Sequence, residues 1–261
     1  MTTLTNQASS VTLLALDTST ATMSVSLVRN GEVVDVFSSF AERNHSVRIV
    51  SEMKRILERN GVRGEELDAI AVGQGPGSYT GVRIGVTAAK TLAWAWRKSL
   101  IGVSSLEALA YSAWRGIGAS VEAKAGKDAW LVPLMDARRG QVYTARYEAG
   151  GDGSWGEISR DGIRLIADWA KRLEEHAAAE AKPEAVWFVG DVETHAAVIA
   201  EAQAASARLR TFACELDAGA LGLLAERRYR AGEHADVHAF VPNYTQLAEA
   251  EAKLLSASRG E

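Results

Sequence analysis

The sequence predicts an α/β protein made of two similar halves in tandem. Two observations carry this prediction. Strand-like and helix-like patterns follow one another in the order βββ-α-β-α-β-α, and a similar order begins again after a Gly-, Ala- and Lys-rich break at residues 116–128 (GIGASVEAKAGKD). Setting Asp17 over Asp136 aligns LLALDTSTATMSV with VPLMDARRGQVYT, a duplication visible in pattern, with Asp the identity near the turn.

Each element has its own signal. Residues 11–17 (VTLLALD) are a short apolar run suited to a buried strand. Residues 23–29 alternate Met23, Val25 and Leu27 with Ser24, Ser26 and Val28, the period of a strand with one face on a core. Asn30-Gly31 is a strong hairpin signal, and residues 33–37 form the returning strand. A helix over about 45–59 would place Val47, Val50, Met53, Ile56 and Leu57 on one face, with Asn44 as N-cap and Gly61 as its stop. The strand at 67–72 leads into a glycine loop and a helix over about 81–97. A brief strand at 101–103 precedes a helix opened by a capping box, Ser104-x-x-Glu107, and ended near Gly116. Past the break, 130–136 is an apolar strand ending in Asp136, and 141–147 is its neighbour after the turn residues Arg138, Arg139 and Gly140. Residues 148–162 hold Gly150, Gly151, Gly153 and Gly156 and read as a loose hairpin or loop. Then come a helix at 163–175, a strand at 186–189, and helices at 195–205 and 218–231. The expected division is a tail (1–10), a first subdomain (11–115), a second (128–240), and a C-terminal tail or helix (241–261) packing back on the first.

The composition narrows the function. In 261 residues, 47% apolar and 24% charged, no apolar run approaches the roughly 18 residues a membrane span needs. The first ten residues lack the regions of a signal peptide. One cysteine, Cys214, excludes an internal disulfide, fits a reducing compartment and reads as a small buried hydrophobe. A net charge of −4 argues against strong nucleic-acid binding by this chain alone. The expectation is a cytoplasmic protein with no membrane partner.

The segment 71–96 (AVGQGPGSYTGVRIGVTAAKTLAWAW) holds Gly73, Gly75, Gly77, Gly81 and Gly85 between a strand and a helix. Such a junction can cradle an anion on backbone N–H groups, or can let two surfaces approach closely. The P-loop pattern G-x-x-x-x-G-K-[ST] is absent, and Arg83 is the one cation of the segment before Lys90. Asp17, followed by Thr18, Ser19 and Thr20, could hold a magnesium-bound phosphate or tighten a hairpin. Asp136, with Arg138 and Arg139 behind it, is its counterpart. Asp17, Thr18, Ser19, Asp136 and Arg139 are therefore the candidate nucleotide-binding residues. The five histidines form no obvious metal site: His234 and His238 stand at i, i+4, but Gly232 and Val237 favour a loop there. No G-x-S-x-G elbow occurs, Ser78 being the nearest imitation. Gly81, Gly85, Ala89 and Ala93 make a small-residue ridge that ends in Leu92, Trp94 and Trp96, suited to packing on the sheet or to a subunit contact.

The segments LALDTSTATMSVSLV, HSVRIVSEMKRIL, GQGPGSYTGVRIGVTAAKTLAWA, GVSSLEALA and PLMDARRGQVYTARY, in this order, resemble the TsaB (YeaZ) family. The match covers most of 11–147. The second half is looser: Val189-Gly190-Asp191 and Pro242-x-Tyr244 fit, and Gln246 stands where an arginine is common. The resemblance implies an ASKHA-type fold of two ribonuclease-H-like subdomains. It implies a role in making threonylcarbamoyladenosine beside the anticodon of ANN-reading tRNAs, as a scaffold and not as the catalyst. The partner it implies is TsaD, a paralogous transferase, with TsaE as associated ATPase, tRNA reached through the complex, and a homodimer when TsaD is absent. ATP and magnesium would enter at the level of that complex, with no cofactor held by this chain alone. The docking face would be the helices at about 45–59 and 81–97, through His45, Val50, Met53, Gly81, Gly85, Ala89, Ala93 and Trp96. TsaD-like sequences carry an H-x-x-x-H metal pair just after the equivalent glycine-loop helix; alignment puts Ser105 and Leu109 there. Two other activities compete with this reading. One is an ASKHA-type kinase holding magnesium-ATP between Asp17 and Asp136, although VWFVGDVE offers only Gly190 where such kinases have a Gly-Gly pair. The other is a glycoprotease-type metallopeptidase.

Overall fold

The structure is a computed structural model that describes residues 10–40, 45–119, 128–180 and 183–245. The first half runs β1 (Thr12–Asp17), β2 (Thr22–Arg29), β3 (Glu32–Phe40), α1 (His45–Arg59), β4 (Ala69–Gly73), α2 (Tyr79–Trp96), β5 (Ser99–Val103) and α3 (Ser105–Ala119). The second runs β6 (Ala129–Asp136), β7 (Gln141–Ala149), β8 (Trp155–Leu165), α4 (Ile166–Ala179), β9 (Ala185–Gly190), α5 (Ala196–Ala205), β10 (Leu209–Phe212) and α6 (Ala218–Arg230). Each half makes a five-stranded sheet, in the orders β3-β2-β1-β4-β5 and β8-β7-β6-β9-β10. The two orders are the same topology, three antiparallel strands followed by two parallel ones, which is the duplication that the repeat around Asp17 and Asp136 encodes.

The halves are joined by exchange of their last helices. α3, from the first half, packs on β6, β7 and β9, whereas α6, from the second, packs on β1, β2 and β3. Leu106, Leu109 and Ala113 of α3 and Leu221, Leu224 and Ala225 of α6 form one core with the facing sides of both sheets. α1 and α2 cover the outer face of the first sheet, and α4 and α5 that of the second. This exchange explains why β2 has no solvent face. Ser24 and Ser26 are fully buried, with Ser26 Oγ donating to the Ala218 carbonyl (2.7 Å) and Ala218 N donating to Ser24 Oγ (2.9 Å). The two serines thus satisfy the first residue of α6, where a helix end needs partners.

A second polar web ties α3, β8 and α6 together. Arg228 donates to the Gly102 carbonyl and to Glu107, whose other oxygen accepts from Trp155 Nε1 at 3.3 Å. Burial raises the Glu107 carboxyl, and the Arg228 guanidinium opposes that shift. Asp161 accepts from Ser104 Oγ (2.8 Å) and Asn243 Nδ2 (2.9 Å), and so fixes the C-terminal segment to the same junction.

Local signals account for most boundaries. Asn30 and Gly31 take positive φ (53° and 79°), as a two-residue hairpin turn requires. Gly61 (φ 62°) follows α1. Ser104 Oγ accepts from the N–H groups of Leu106 and Glu107, but Glu107 turns to Trp155 and Arg228, so only half of the predicted box forms. α3 continues past Gly116 to Ala119. The segment read as a loose hairpin or loop is a hairpin, since β8 pairs with β7 from Trp155 to Leu165, and α4 accordingly starts at Ile166 and not at 163. On α1, Met53, Ile56 and Leu57 face the core as expected, but Val50 turns to solvent. Asn44, the expected N-cap of α1, lies outside the described residues, as do the side chains of His45 and Val47.

Candidate functional site

Three regions could act on something outside the chain. The first is the glycine loop, against the β1–β2 turn. Asp17 is fully buried at the end of β1. Its Oδ1 accepts from Ser19 N and Ser19 Oγ (2.7 Å each), and its Oδ2 accepts from Ser105 Oγ (2.7 Å). Ser105 Oγ in turn accepts from Gly75 N (3.1 Å), and Ser78 N donates to the Ser19 carbonyl (2.7 Å). Thr18 Oγ1 donates to the Gly81 carbonyl at 2.7 Å. The chain's own β1–β2 turn packs against one side of the loop, while Gly77, Ser78 and Gly81 also border the open cleft described below. A β-carbon on Gly81 would collide with the Thr18 carbonyl, and one on Gly77 (φ 151°) with that of Ser19. These glycines therefore serve close packing. Replacing Asp17 with alanine strands three buried donors and is expected to cost about 2–4 kcal/mol of stability, checked by urea unfolding.

The same packing decides the direction of the small-residue ridge. Gly81, Gly85, Ala89 and Ala93 all face the first sheet and are buried, as is Met53 of α1. Trp96 is half-buried against the same core, its ring lying over Gly64. These residues were expected on a partner face; the structure turns them inward, because a helix lying on a sheet needs its smallest residues where backbones are closest.

The second region is a cleft of about 930 Å³ between the ends of the two sheets. Ser19, Thr20, Ser78 and Thr80 line one side, and Asp136, Arg138, Tyr143, Asp191 and Glu215 the other. Asp136 is exposed; its Oδ1 accepts from Arg138 N (3.2 Å), the same turn that Asp17 makes with Ser19 N. Its backbone N–H donates to Asp191 Oδ2 (2.9 Å), and His195 Nε2 lies 3.4 Å from Oδ1. Arg138 and Arg139 both take positive φ (67° and 55°) in the hairpin turn; Arg138 borders the cleft and Arg139 is exposed outside its lining. Of the five candidate nucleotide-binding residues, Ser19 and Asp136 thus reach the cleft wall, while Asp17 and Thr18 are buried beneath it. Among the described residues no group of three or more His, Cys, Asp or Glu could hold a metal ion.

The third region is an apolar groove of about 700 Å³ between α1 and α2. Ile49 and Val50 form one wall; Ile84, Thr87, Ala88, Thr91 and Leu92 form the other. Val50 is 56% exposed and Trp94, further along α2, 65%, so this face presents large apolar side chains that packing among the described residues does not cover. Both helices form where the sequence places them, and the α2 residues that line the groove are other than Gly81, Gly85, Ala89, Ala93 and Trp96. Thr87, Ala88 and Thr91 carry no hydrophobic signature, and only the geometry of the helix pair reveals them. No helix among the described residues is long and apolar enough to cross a membrane.

Comparison with known proteins gives this arrangement a lineage. The family model for TsaD, tRNA N6-adenosine threonylcarbamoyltransferase, matches residues 36–254. The tRNA threonylcarbamoyladenosine biosynthesis protein TsaB of Bacillus subtilis (strain 168) is 36% identical over 253 residues, which is 95% of this chain and 100% of that protein. Its namesake in Escherichia coli (strain K12) is 38% identical over 143 residues, 55% of this chain and 58% of that one. The solved structure of YeaZ from Pseudomonas aeruginosa, 26% identical, has a TM-score of 0.67 and covers 90% of this chain and 99% of that chain. By sequence over nearly its whole length and by a shared fold, the chain belongs to the TsaB (YeaZ) family.

Proposed function

We propose that this chain is a non-catalytic subunit in the biosynthesis of threonylcarbamoyladenosine in tRNA, and that its exposed α1–α2 face docks a paralogue of the TsaD type. The observation that carries this reading is the pair Ser105 and Leu109, which stand where the resemblance places the histidines of the transferase. The Ser105 hydroxyl is engaged with Asp17 and the Gly75 N–H, and Leu109 is 3% exposed, a core residue whose side chain offers no ligand atom. Residues so committed to packing favour assembly over chemistry. The groove supplies the complementary feature, an apolar surface flanked by polar residues on two rigid helices. TsaE and tRNA would join through the complex, in the cytoplasm, and without a TsaD-type partner the same face would pair two copies of this chain.

Reconstitution tests the proposal. Modification of tRNA by the TsaD-type and TsaE-type proteins should require this chain, and this chain with TsaE alone should give none. Modification that proceeds without it, or activity of the chain by itself, overturns the reading. The kinase alternative predicts micromolar binding of magnesium-ATP in the cleft; calorimetry on the isolated chain is expected to show none tighter than about 1 mM, equivalent to about 4 kcal/mol.

A further inference from the structure

The two walls of the cleft between the sheets carry different chemistry. The second half contributes the exposed carboxylates of Asp136, Asp191 and Glu215. Asp136 ends β6, Asp191 follows Gly190 at the end of β9, and Glu215 comes shortly after Phe212, the end of β10. β6, β9 and β10 are parallel neighbours, so these carboxylates stand at the carboxyl ends of adjacent strands, where open α/β sheets bind ligands. In the first half the equivalent end is closed, since Ser105 of α3 donates to Asp17. Arg138 is the single cation among the described residues that line the cleft. The facing wall holds the hydroxyls of Ser19, Thr20, Ser78 and Thr80 and the ring of Phe40, which is 67% exposed. Behind Asp136 lies His195, only 7% exposed; its Nε2 makes no hydrogen bond and faces Asp136 Oδ1 at 3.4 Å.

We propose that this cleft holds a small organic cation, an alkylguanidinium or alkylammonium, with Asp136, Asp191 and Glu215 as its counter-charges. Charge decides against a phosphate. Three carboxylates against one guanidinium repel an anion. The loop N–H groups that could cradle one are committed, Gly75 N to Ser105 Oγ, Ser78 N to the Ser19 carbonyl and Gly81 N to Ser78 Oγ. Spacing decides against a metal ion, because no three His, Cys, Asp or Glu among the described residues converge on one point. Separated carboxylates suit a ligand whose N–H donors sit on several atoms. His195 Nε2 adds a buried polar atom that the chain leaves without a hydrogen bond, against the carboxylate such a ligand would meet. Phe40 supplies an exposed aromatic ring on the facing wall, a surface that attracts cations. The volume of about 930 Å³ is in the range of small-molecule sites, about 300–1,000 Å³. The carboxylates all belong to the second half, whereas the α1–α2 face proposed for docking belongs to the first.

Agmatine, which carries a guanidinium and an ammonium on one butyl chain, is the probe. Calorimetric titration of the full chain should show saturable binding, at least about 10-fold tighter than that of magnesium-ATP. Asp136→Asn with Asp191→Asn removes two charges, and each amide keeps an acceptor for the Arg138 and Asp136 backbone N–H groups. This variant should unfold at the same urea concentration as wild type and bind agmatine at least about 10-fold more weakly. Glu58→Gln with Glu65→Gln removes the same charge from exposed positions outside the cleft lining and should leave the affinity unchanged. Phe40→Ala should weaken binding about 2- to 5-fold. In proton NMR the imidazole C–H resonances of His195 should shift on titration, while those of His176 on α4 stay in place. No saturable binding below about 10 mM, an unchanged affinity in the Asp136/Asp191 variant, or magnesium-ATP binding more tightly than agmatine overturns the proposal. The titration contains no partner, so its failure leaves the docking reading standing, and that reading is tested separately by titration with the partner.

Discussion

Replacing Gly81 with alanine is expected to lower the unfolding free energy by about 1–3 kcal/mol, the range for forcing an atom into a filled space. The direction of the change is informative. Gly81 lies in the first turn of α2, and alanine is the better helix former by up to about 1 kcal/mol, so a Gly81 on an open partner face would give a gain in stability. In the structure the added β-carbon meets the Thr18 carbonyl, a backbone atom held in place by the Ser19–Asp17 and Thr18–Gly81 hydrogen bonds. The turn cannot retreat without breaking the buried Asp17–Ser105–Gly75 chain. Urea unfolding of the variant beside wild type decides the sign. Any loss of partner binding in such a variant would then come from a damaged fold and not from a lost contact.

Placing two carboxylates in the groove should have the opposite profile. Val50→Glu and Thr87→Glu change exposed positions on α1 and α2, and glutamate suits a helix better than valine or threonine, so the unfolding midpoint should stay at or above that of wild type. Association with a TsaD-type partner should weaken at least about 100-fold. Burying unpaired charges in an apolar interface costs about 3–5 kcal/mol, and every 1.4 kcal/mol is a factor of ten. Arg83, the single cation among the described residues that line the groove, already packs on the Tyr79 ring and can compensate one added charge at most.

The sequence revealed the elements better than their surroundings. Asn30-Gly31, the alternation of β2, the 3.6-residue period of α1 and the run from β4 through α2 are local signals, and the structure follows them. For β8 the sequence left hairpin and loop open, because Gly150, Gly153, Gly156 and Gly162 and the polar run EISRDG give a weak strand pattern; its pairing with β7 to Leu165 is a tertiary effect. The burial of Ser24 and Ser26 could not be foreseen, since their partner is Ala218, almost two hundred residues away. The same limit applied to the glycine ridge. A row of small residues states that something comes close, and only the fold states that it is Thr18 of the same chain. Asp17 and Asp136 illustrate the remaining gap. Their sequence positions correspond and each accepts from the N–H two residues on, yet one is sealed under α3 and the other stands open in the cleft.

The central claim is that this chain works by presenting the outer face of α1 and α2, while its glycine loop maintains the fold. Calorimetric titration of a TsaD-type partner into the Val50→Glu/Thr87→Glu variant tests this most directly. The account predicts a protein of wild-type stability whose association is at least about 100-fold weaker than that of the unaltered chain. A variant that is equally stable and binds with unchanged affinity would contradict it.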